Sequence, residues 1–292
     1  MKITIIIISY KSLNNLIKCI NSIGQKRKII IIENSNDHNL KKIIEKKFKN
    51  TSVYLNKKNL GWAKASNMGL KKVKTDFAYS INPDIKISEA NLLKIEKTII
   101  SKKILFDLAT PIYDDLIDFI KNNNFDNYFK KNISKDNQIK EISHVDYIKG
   151  SSIVFNLKKF KNKKIFDENF FFFFEELDLC RRIKSKNGKI IILNKIKIEH
   201  VGASSSNIKR TNYDNFRNWN FFWSKFYYFK KHYGLNYSLA RHSGKFFRFS
   251  FNIIFYYFFS EKKYLMNKYR FLGLINSIFG KSSRESIKIL KL

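Results

Sequence analysis

Two cysteines, two prolines and ten glycines are all that 292 residues contain. Cys19 and Cys180 are too few for a disulfide framework, lack metal-ligand spacing and fall inside apolar helical patterns. Both are expected in the core of a reduced, cytosolic protein. Acids are scarce as well: 24 Asp and Glu stand against 57 Lys and Arg, a formal net charge of +33. Such an excess attracts an anion, and charge alone does not choose among nucleic acid, an acidic membrane surface and a phosphorylated substrate. No stretch offers the ~20 uninterrupted apolar residues of a spanning helix. No G-x-G-x-x-G follows the first apolar run, which counts against a dinucleotide site of that type.

What is present reads as alternating strands and helices. The opening "MKITIIIISYK" has the charge and apolar run of a leader peptide. Its run is short, β-branched and without a small-residue cleavage site, so it is expected to be a buried strand. A helical pattern follows at Leu13, Leu16, Ile17, Ile20 and Ile23, then a second β-branched run at residues 29–32. Helices at 38–47 and 62–73 alternate with strands at 52–55 and 77–81. This is the pattern of an α/β fold, a mostly parallel sheet flanked by helices. Residues 113–143 are polar and rich in Asn and Lys, and are expected to be a variable insertion. Order returns with a strand at 151–155, a helix ended by Gly188, and two short strands at 189–193 and 195–199 that end at His200. Residues 212–292 form a basic, aromatic-rich and helical C-terminal extension. Residues 1–211 form the main domain.

In such sheets ligands bind beyond the carboxyl ends of the strands. The residues there are Ser9 and Tyr10; Glu33, Asn34 and Ser35; Asn59 to Gly61; and Asn82, Pro83 and Asp84. In "INPDIKI", Pro83 biases Asn82 toward extended geometry, so Asn82 and Asp84 turn a tight corner as hard oxygen ligands suited to Mg²⁺ or Mn²⁺. An ordinary Asx-type turn is the competing reading. His200 is either a further ligand or a packed residue. Gly202 and the serines Ser204, Ser205 and Ser206 suit close approach to phosphate. In "FFFFFEELDLCRR" the phenylalanines read as core, and Glu175, Glu176 and Asp178 as the solvated, acidic first turn of a helix, with Asp178 and Arg182 spaced to pair.

Taken in order, "IIIISYKSLNNLIKCINSI", "IIIIENSNDHN", "NLGWAKASNMGL", "INPDIKI", "IKGSSIVF", "FDENFFFFFEELDLCRR" and "HVGASSS" resemble glycosyltransferase family 2, the inverting GT-A class, and within it the bacterial rhamnosyltransferase-like branch. The resemblance covers residues 3–217. It implies a nucleotide-sugar donor (dTDP- or UDP-sugar), Mg²⁺ or Mn²⁺, and a saccharide or lipid-linked acceptor in cell-surface polysaccharide or lipopolysaccharide synthesis. Carried over by position, it makes Asp84 the main metal ligand, with Asn82 in the place of the first aspartate of D-x-D and His200 completing the site. Glu33 stands where the family has a base-contacting aspartate, one methylene longer here, and Asn34, Ser35 and Asp37 shape the same pocket. Asn59, Gly61 and Asn67 line the donor site, and Gly150 and Ser151 face donor sugar and acceptor. The general base falls on Glu176, where the family has aspartate, with Glu175 or Asp178 as substitutes.

Three other readings stay open: a basic nucleic-acid-binding protein, which lacks any recognised binding motif; a glycoside hydrolase using paired carboxylates; and a weakened relative, since Glu33, Asn82 and Glu176 all depart from the broader pattern. The extension suits either an anionic membrane surface, at the inner face of the cytoplasmic membrane, or a helical subdomain packed on the sheet.

Overall fold

A computed structural model describes residues 2–101, 104–122, 126–129, 140–201 and 210–291. The chain divides into two compact units. The first comprises Met1–Asn59, Lys64–Phe166 and Glu176–Asn207, and the second Leu60–Ala63, Asp167–Glu175 and Ile208–Leu292. The extension expected from residue 212 onward is therefore joined by two short segments drawn from the middle of the chain.

The first unit is built on β1 (Ile3–Ser9), α1 (Leu13–Ile23), β2 (Ile29–Glu33), α2 (His38–Lys47), β3 (Thr51–Leu55), the body of α3 (Trp62–Lys72), β4 (Phe77–Ile81), β5 (Ile85–Lys86) and α4 (Glu89–Ser101). It continues with β6 (Leu108–Ile112), α5 (Asp114–Asn122), β7 (Ile142–Val145), β8 (Ser152–Asn156), α6 (Glu175–Lys184), β9 (Ile190–Lys197) and β10 (Glu199–His200). Eight strands form one sheet in the order β3-β2-β1-β4-β8-β6-β9-β7, and β10 pairs with β5 in a separate ribbon. β1 to β4 run parallel, β8 runs against β4 and β6, β9 is parallel to β6, and β7 is antiparallel to β9. Every residue of β1 and β2 is buried, as expected of β-branched strands covered on both faces. The helices follow the apolar spacing read from the sequence, and both cysteines are buried.

Two buried polar devices hold this unit. Arg27, wholly buried, donates through Nη1 to Glu89 (2.8 Å) and through Nη2 to Glu96 (2.9 Å). Asn67 accepts through Oδ1 from the backbone N–H of Ile165 (3.0 Å) and Phe166 (2.9 Å), and donates through Nδ2 to the Phe166 carbonyl (2.9 Å).

Four expectations need correction. The strands expected at 189–193 and 195–199 are one strand, β9, carrying a bulge: Leu193 pairs with Pro111, and Lys197 is the next to pair, with Ile112. Asn194 is held there by the Lys140 carbonyl (2.9 Å) and Ser143 Oγ (2.7 Å). The span 113–143 opens with a buried Tyr113 and the ordered helix α5, which buries Leu116 and Ile120. Helix α6 stops at Lys184, and Asn187 rather than Gly188 takes the left-handed conformation (φ 56°). Finally, Glu175 and Asp178 are buried instead of solvated.

The second unit contains α7 (Arg210–Tyr233), α8 (Leu235–Phe259), α9 (Glu261–Ile278) and a 3₁₀ segment, Ser283–Lys291. Helices α7 and α9 approach so closely that a Cβ on Gly273 would lie 2.1 Å from the Trp219 carbonyl oxygen. Ser277 Oγ donates to the Trp223 carbonyl one turn on (2.9 Å). The phenylalanine run belongs to this unit's core and is an irregular segment. Phe173 and Phe174 both take positive φ (71° and 68°). Their rings meet Phe221 and Tyr228 on α7.

Candidate functional site

The parallel strands end at one edge of the sheet, and the antiparallel β8 begins there, so the chemistry-bearing residues of the first unit converge on it. At β4 the chain leaves the sheet through Asn82, whose N–H donates to the Ser151 carbonyl at the head of β8 (2.9 Å). Asp84 follows, and then β5. The ribbon fixes what faces Asp84: His200 pairs with Ile85, and the Val201 N–H donates to the Asp84 carbonyl (3.1 Å).

The imidazole of His200 therefore lies between two carboxylates. Its Nδ1 is 2.9 and 3.0 Å from the two Asp115 oxygens. Ionised Asp115 can only accept, so Nδ1 carries the proton and Nε2 is left for a ligand. Nε2 stands 3.6 Å from Asp84 Oδ1, beyond hydrogen-bond range, and this buried oxygen has no hydrogen-bond partner. The Asp84 carboxylate is the main cause of a raised His200 pKa; burial of the ring opposes it and Asp115 adds to it. Burial alone would raise the Asp115 pKa, but Lys149 and His200 outweigh it and hold that carboxyl below its ordinary value.

An orphaned carboxylate oxygen facing an imidazole nitrogen whose tautomer is fixed by a second carboxylate fits a divalent cation. Among the described residues no group of three or more His, Cys, Asp or Glu converges as a closed metal cage. Asp84 and His200 would supply two donors, with Asn82 two residues before Asp84, and the remaining positions suit phosphate and water oxygens, the habit of Mg²⁺ with nucleotides.

Beside this pair, Lys149 forms an ion pair with Asp115. Tyr113 stacks edge-on against His200 and shares a hydrogen bond with Ser151 Oγ (2.9 Å). Gly150 faces Glu176, and a Cβ added there would lie 3.7 Å from that side chain. Glu176 Oε2 is buried without a partner. Burial raises the Glu176 pKa, against the opposing effect of the N–H groups of Glu176, Gly150 and Leu177 and of the Lys149 charge. Asp178, wholly buried, accepts from Arg182 Nε (2.8 Å), and Arg182 Nη2 ties to the Ile165 carbonyl (2.8 Å). The i,i+4 pairing expected from the sequence is present, and it engages Asp178 as an anchor of α6.

A second cluster forms at the ends of β1 and β2. Glu33 is fully buried and its carboxylate turns back on its own loop, accepting from Ser35 N (2.9 and 3.0 Å), Ser35 Oγ (2.5 Å) and Asp37 N (2.9 Å). The extra methylene gives it that reach. Asn34 donates through its backbone to the Ser9 carbonyl (2.8 Å) and accepts through Oδ1 from Asn56 Nδ2 (2.8 Å). Ser9 Oγ and Ser12 Oγ are 2.9 Å apart. Asp37 caps α2 by accepting from Leu40 N (2.8 Å). The pKa of Tyr10 is raised by burial and by Glu33, and its hydroxyl is hydrogen-bonded to Asn59.

The structure thus brings together Asn82, Asp84, His200, Gly150, Ser151 and Glu176 at one end of the first unit. Ser9, Tyr10, Glu33, Asn34, Ser35 and Asn59 gather at the same edge of the sheet. Asn67 is a core clamp, while Gly61 and Glu175 belong to the second unit. Gly202, Ser204, Ser205 and Ser206 lie outside the described residues. Tyr113, Asp115, Lys149 and Asn56 are absent from the sequence reading. The first two directly follow β6, so the strand-end rule would have selected them had β6 been recognised.

The family model described as "Glycosyl transferase family 2" matches residues 4–165. No curated protein matches the chain. Among solved structures, it resembles the mannosyltransferase PcManGT from Pyrobaculum calidifontis in complex with GDP-Man and Mn²⁺: TM-score 0.57, 10% identity, 96% of this chain and 88% of that one. It also resembles S. aureus TarS 1-349: TM-score 0.53, 13% identity, 96% and 92% covered. GalNAc-T7 with UDP, GalNAc and Mn²⁺ aligns at TM-score 0.56 and 12% identity over 78% of this chain, which spans only 50% of that one. At such identities the likeness is one of fold, and the fold is that of GT-A glycosyltransferases.

Proposed function

The chain belongs to glycosyl transferase family 2, and from that premise we propose that it moves a sugar, with inversion, from a nucleoside-diphosphate donor to a hydroxyl of a saccharide or lipid-linked saccharide. The observation that carries this reading is the gap between Asp84 Oδ1 and His200 Nε2, 3.6 Å apart, with that oxygen buried and unpartnered. Asp84 and His200 would hold Mg²⁺ or Mn²⁺ there. When bound, the cation neutralises charge gathering on the departing diphosphate.

The chain's own residues do the rest. Glu176 Oε2, buried and without a partner, takes the proton from the acceptor hydroxyl as its oxygen attacks the anomeric carbon. The bond from that carbon to the diphosphate oxygen breaks, and its electron pair leaves with the nucleotide. A single displacement on the face opposite the leaving group inverts the centre. Burial keeps Glu176 more basic than an ordinary glutamate, which suits a base working near neutral pH. Lys149 lies within electrostatic reach of both Glu176 and Asp115. Tyr10, after β1, and the loop closed by Glu33, Ser35 and Asp37, after β2, would shape the nucleotide pocket, with Asn34 buried beneath it. dTDP- and UDP-sugars, rhamnose among them, and a cell-surface polysaccharide or lipopolysaccharide product remain the readings implied by family resemblance.

The test is Mn²⁺-dependent thermal stabilisation by UDP, dTDP and GDP, with and without their sugars. One nucleotide should stabilise the protein only when the cation is present. Asp84→Ala should lose that cation-dependent increment and lower turnover by about 100-fold or more. Equal stabilisation of Asp84→Ala and the parent would remove Asp84 and His200 from the site.

A further inference from the structure

Helix α8 is 25 residues long and carries no acid. Its packed side buries Ser238, His242 and Phe249. On the opposite side Phe247, Phe251, Ile254 and Phe258 recur at helical spacing, with 69%, 67%, 68% and 76% of their surface exposed. Phe255, Tyr257 and Phe259 widen the band. Soluble surfaces seldom leave so many contiguous large apolar side chains to water, and such a patch marks a site of contact.

Length and charge decide what it contacts. The run from Phe246 to Phe259 has one charge, Arg248. It covers roughly 20 Å of helix, short of the ~30 Å hydrocarbon core of a bilayer. Among the described residues no helix is long and apolar enough to cross a membrane. Cations frame the band, Arg241, Lys245 and Arg248 toward its start and Lys262 and Lys263 just past its end, against a single acid, Glu261. The Lys225 ammonium on α7 is pushed down to about 8 by burial and by the charges of Lys245 and Arg241. A second copy of this chain would bring the same cations face to face, since a two-fold contact joins identical patches. An anionic surface relieves that repulsion instead.

We propose that α8 lies in the plane of an anionic lipid bilayer, with Phe247, Phe251, Ile254 and Phe258 among the acyl chains near the headgroups and the flanking Lys and Arg on lipid phosphates. This is independent of the transfer reaction, because vesicle binding is read without any donor or acceptor.

The full chain is sedimented with vesicles of phosphatidylcholine alone and of phosphatidylcholine mixed with phosphatidylglycerol. It should bind the mixed vesicles, less so as salt rises. The double variant Phe251→Ser, Phe258→Ser should bind about tenfold more weakly or worse, while its melting curve matches the parent because both side chains are exposed. No binding to anionic vesicles would overturn the proposal. So would equal binding by the double variant, which would leave charge alone as the cause. It also fails if the parent is a dimer that the variant dissolves, which would assign the face to a second copy.

Discussion

At His200 the two ring nitrogens face different carboxylates, and in the proposed cation site that difference would separate a ligand, Asp84, from a positioning residue, Asp115. Asp84 turns a bare oxygen toward Nε2, whereas Asp115 holds Nδ1 at 2.9 and 3.0 Å and is itself held by Lys149. Asp115→Asn keeps an acceptor for Nδ1 but removes the charge that makes the ring a good donor. We expect Mn²⁺ affinity to fall about 10- to 100-fold while metal-free nucleotide binding is unchanged; equal Mn²⁺ titrations of variant and parent would reject the role. Glu176→Gln should instead leave donor binding intact and lower kcat by about 100- to 10,000-fold. A general base acts when deprotonated, and the Glu176 pKa is raised by burial. The acidic limb of kcat against pH should therefore fall at a higher pH than the 4.5 of an ordinary glutamate, and vanish in the variant. A profile flat through the mildly acidic range would place the base elsewhere.

Elements show why part of the site was legible and part was not. β1 and β2 are β-branched runs and β4 is apolar but for Ser80, so the strand-end rule reached Ser9, Glu33, Asn82 and Asp84 from the sequence. β6 contains Pro111, which argues against a strand. It is tolerated because β6 pairs with β8 only through Leu108 and Ala109, so one ladder has ended before the proline. With β6 unseen, Tyr113 and Asp115 fell into a supposed insertion. The phenylalanine run was illegible for another reason: consecutive left-handed residues leave no periodic signal, and rarely occur without glycine. A backbone bond in the same unit, Trp62 N–H to the Phe171 carbonyl (2.8 Å), shows what Gly61 is for. With φ at 80°, a Cβ there would stand 2.6 Å from that carbonyl oxygen. Gly61→Ala should cost about 2–4 kcal/mol. Gly234→Ala, at φ 88° and ψ 168° with nothing within 4 Å, should cost about 1–3 kcal/mol from conformation alone. Equal losses in denaturant melts would mean that conformation, and not the contact with Phe171, is what Gly61 supplies.

For the whole molecule, the excess of 57 basic over 24 acidic residues is a standing repulsion that the fold must carry. The bases are spread through the sequence, so composition points to an anion without locating it; the proposed contacts at the exposed face of α8 and at the Asp84–His200 gap would divide that attraction between a surface and a substrate. The acids that are present do defined work: Glu89 and Glu96 clasp Arg27, Asp178 clasps Arg182, and Asp167 accepts from Lys231 (2.7 Å) and Tyr227 (3.0 Å). The pairs made by Arg27 and Asp178 are buried and little screened by salt, whereas repulsion among exposed lysines is screened strongly as the Debye length shortens from ~30 Å at 0.01 M to ~8 Å at 0.15 M. Self-repulsion of a highly charged chain opposes the compact state. The two effects do not cancel, and the melting temperature of the isolated protein should rise as sodium chloride is raised over that range. A melting temperature that falls instead would mean that exposed ion pairs such as Lys86 with Glu199 outweigh the net charge.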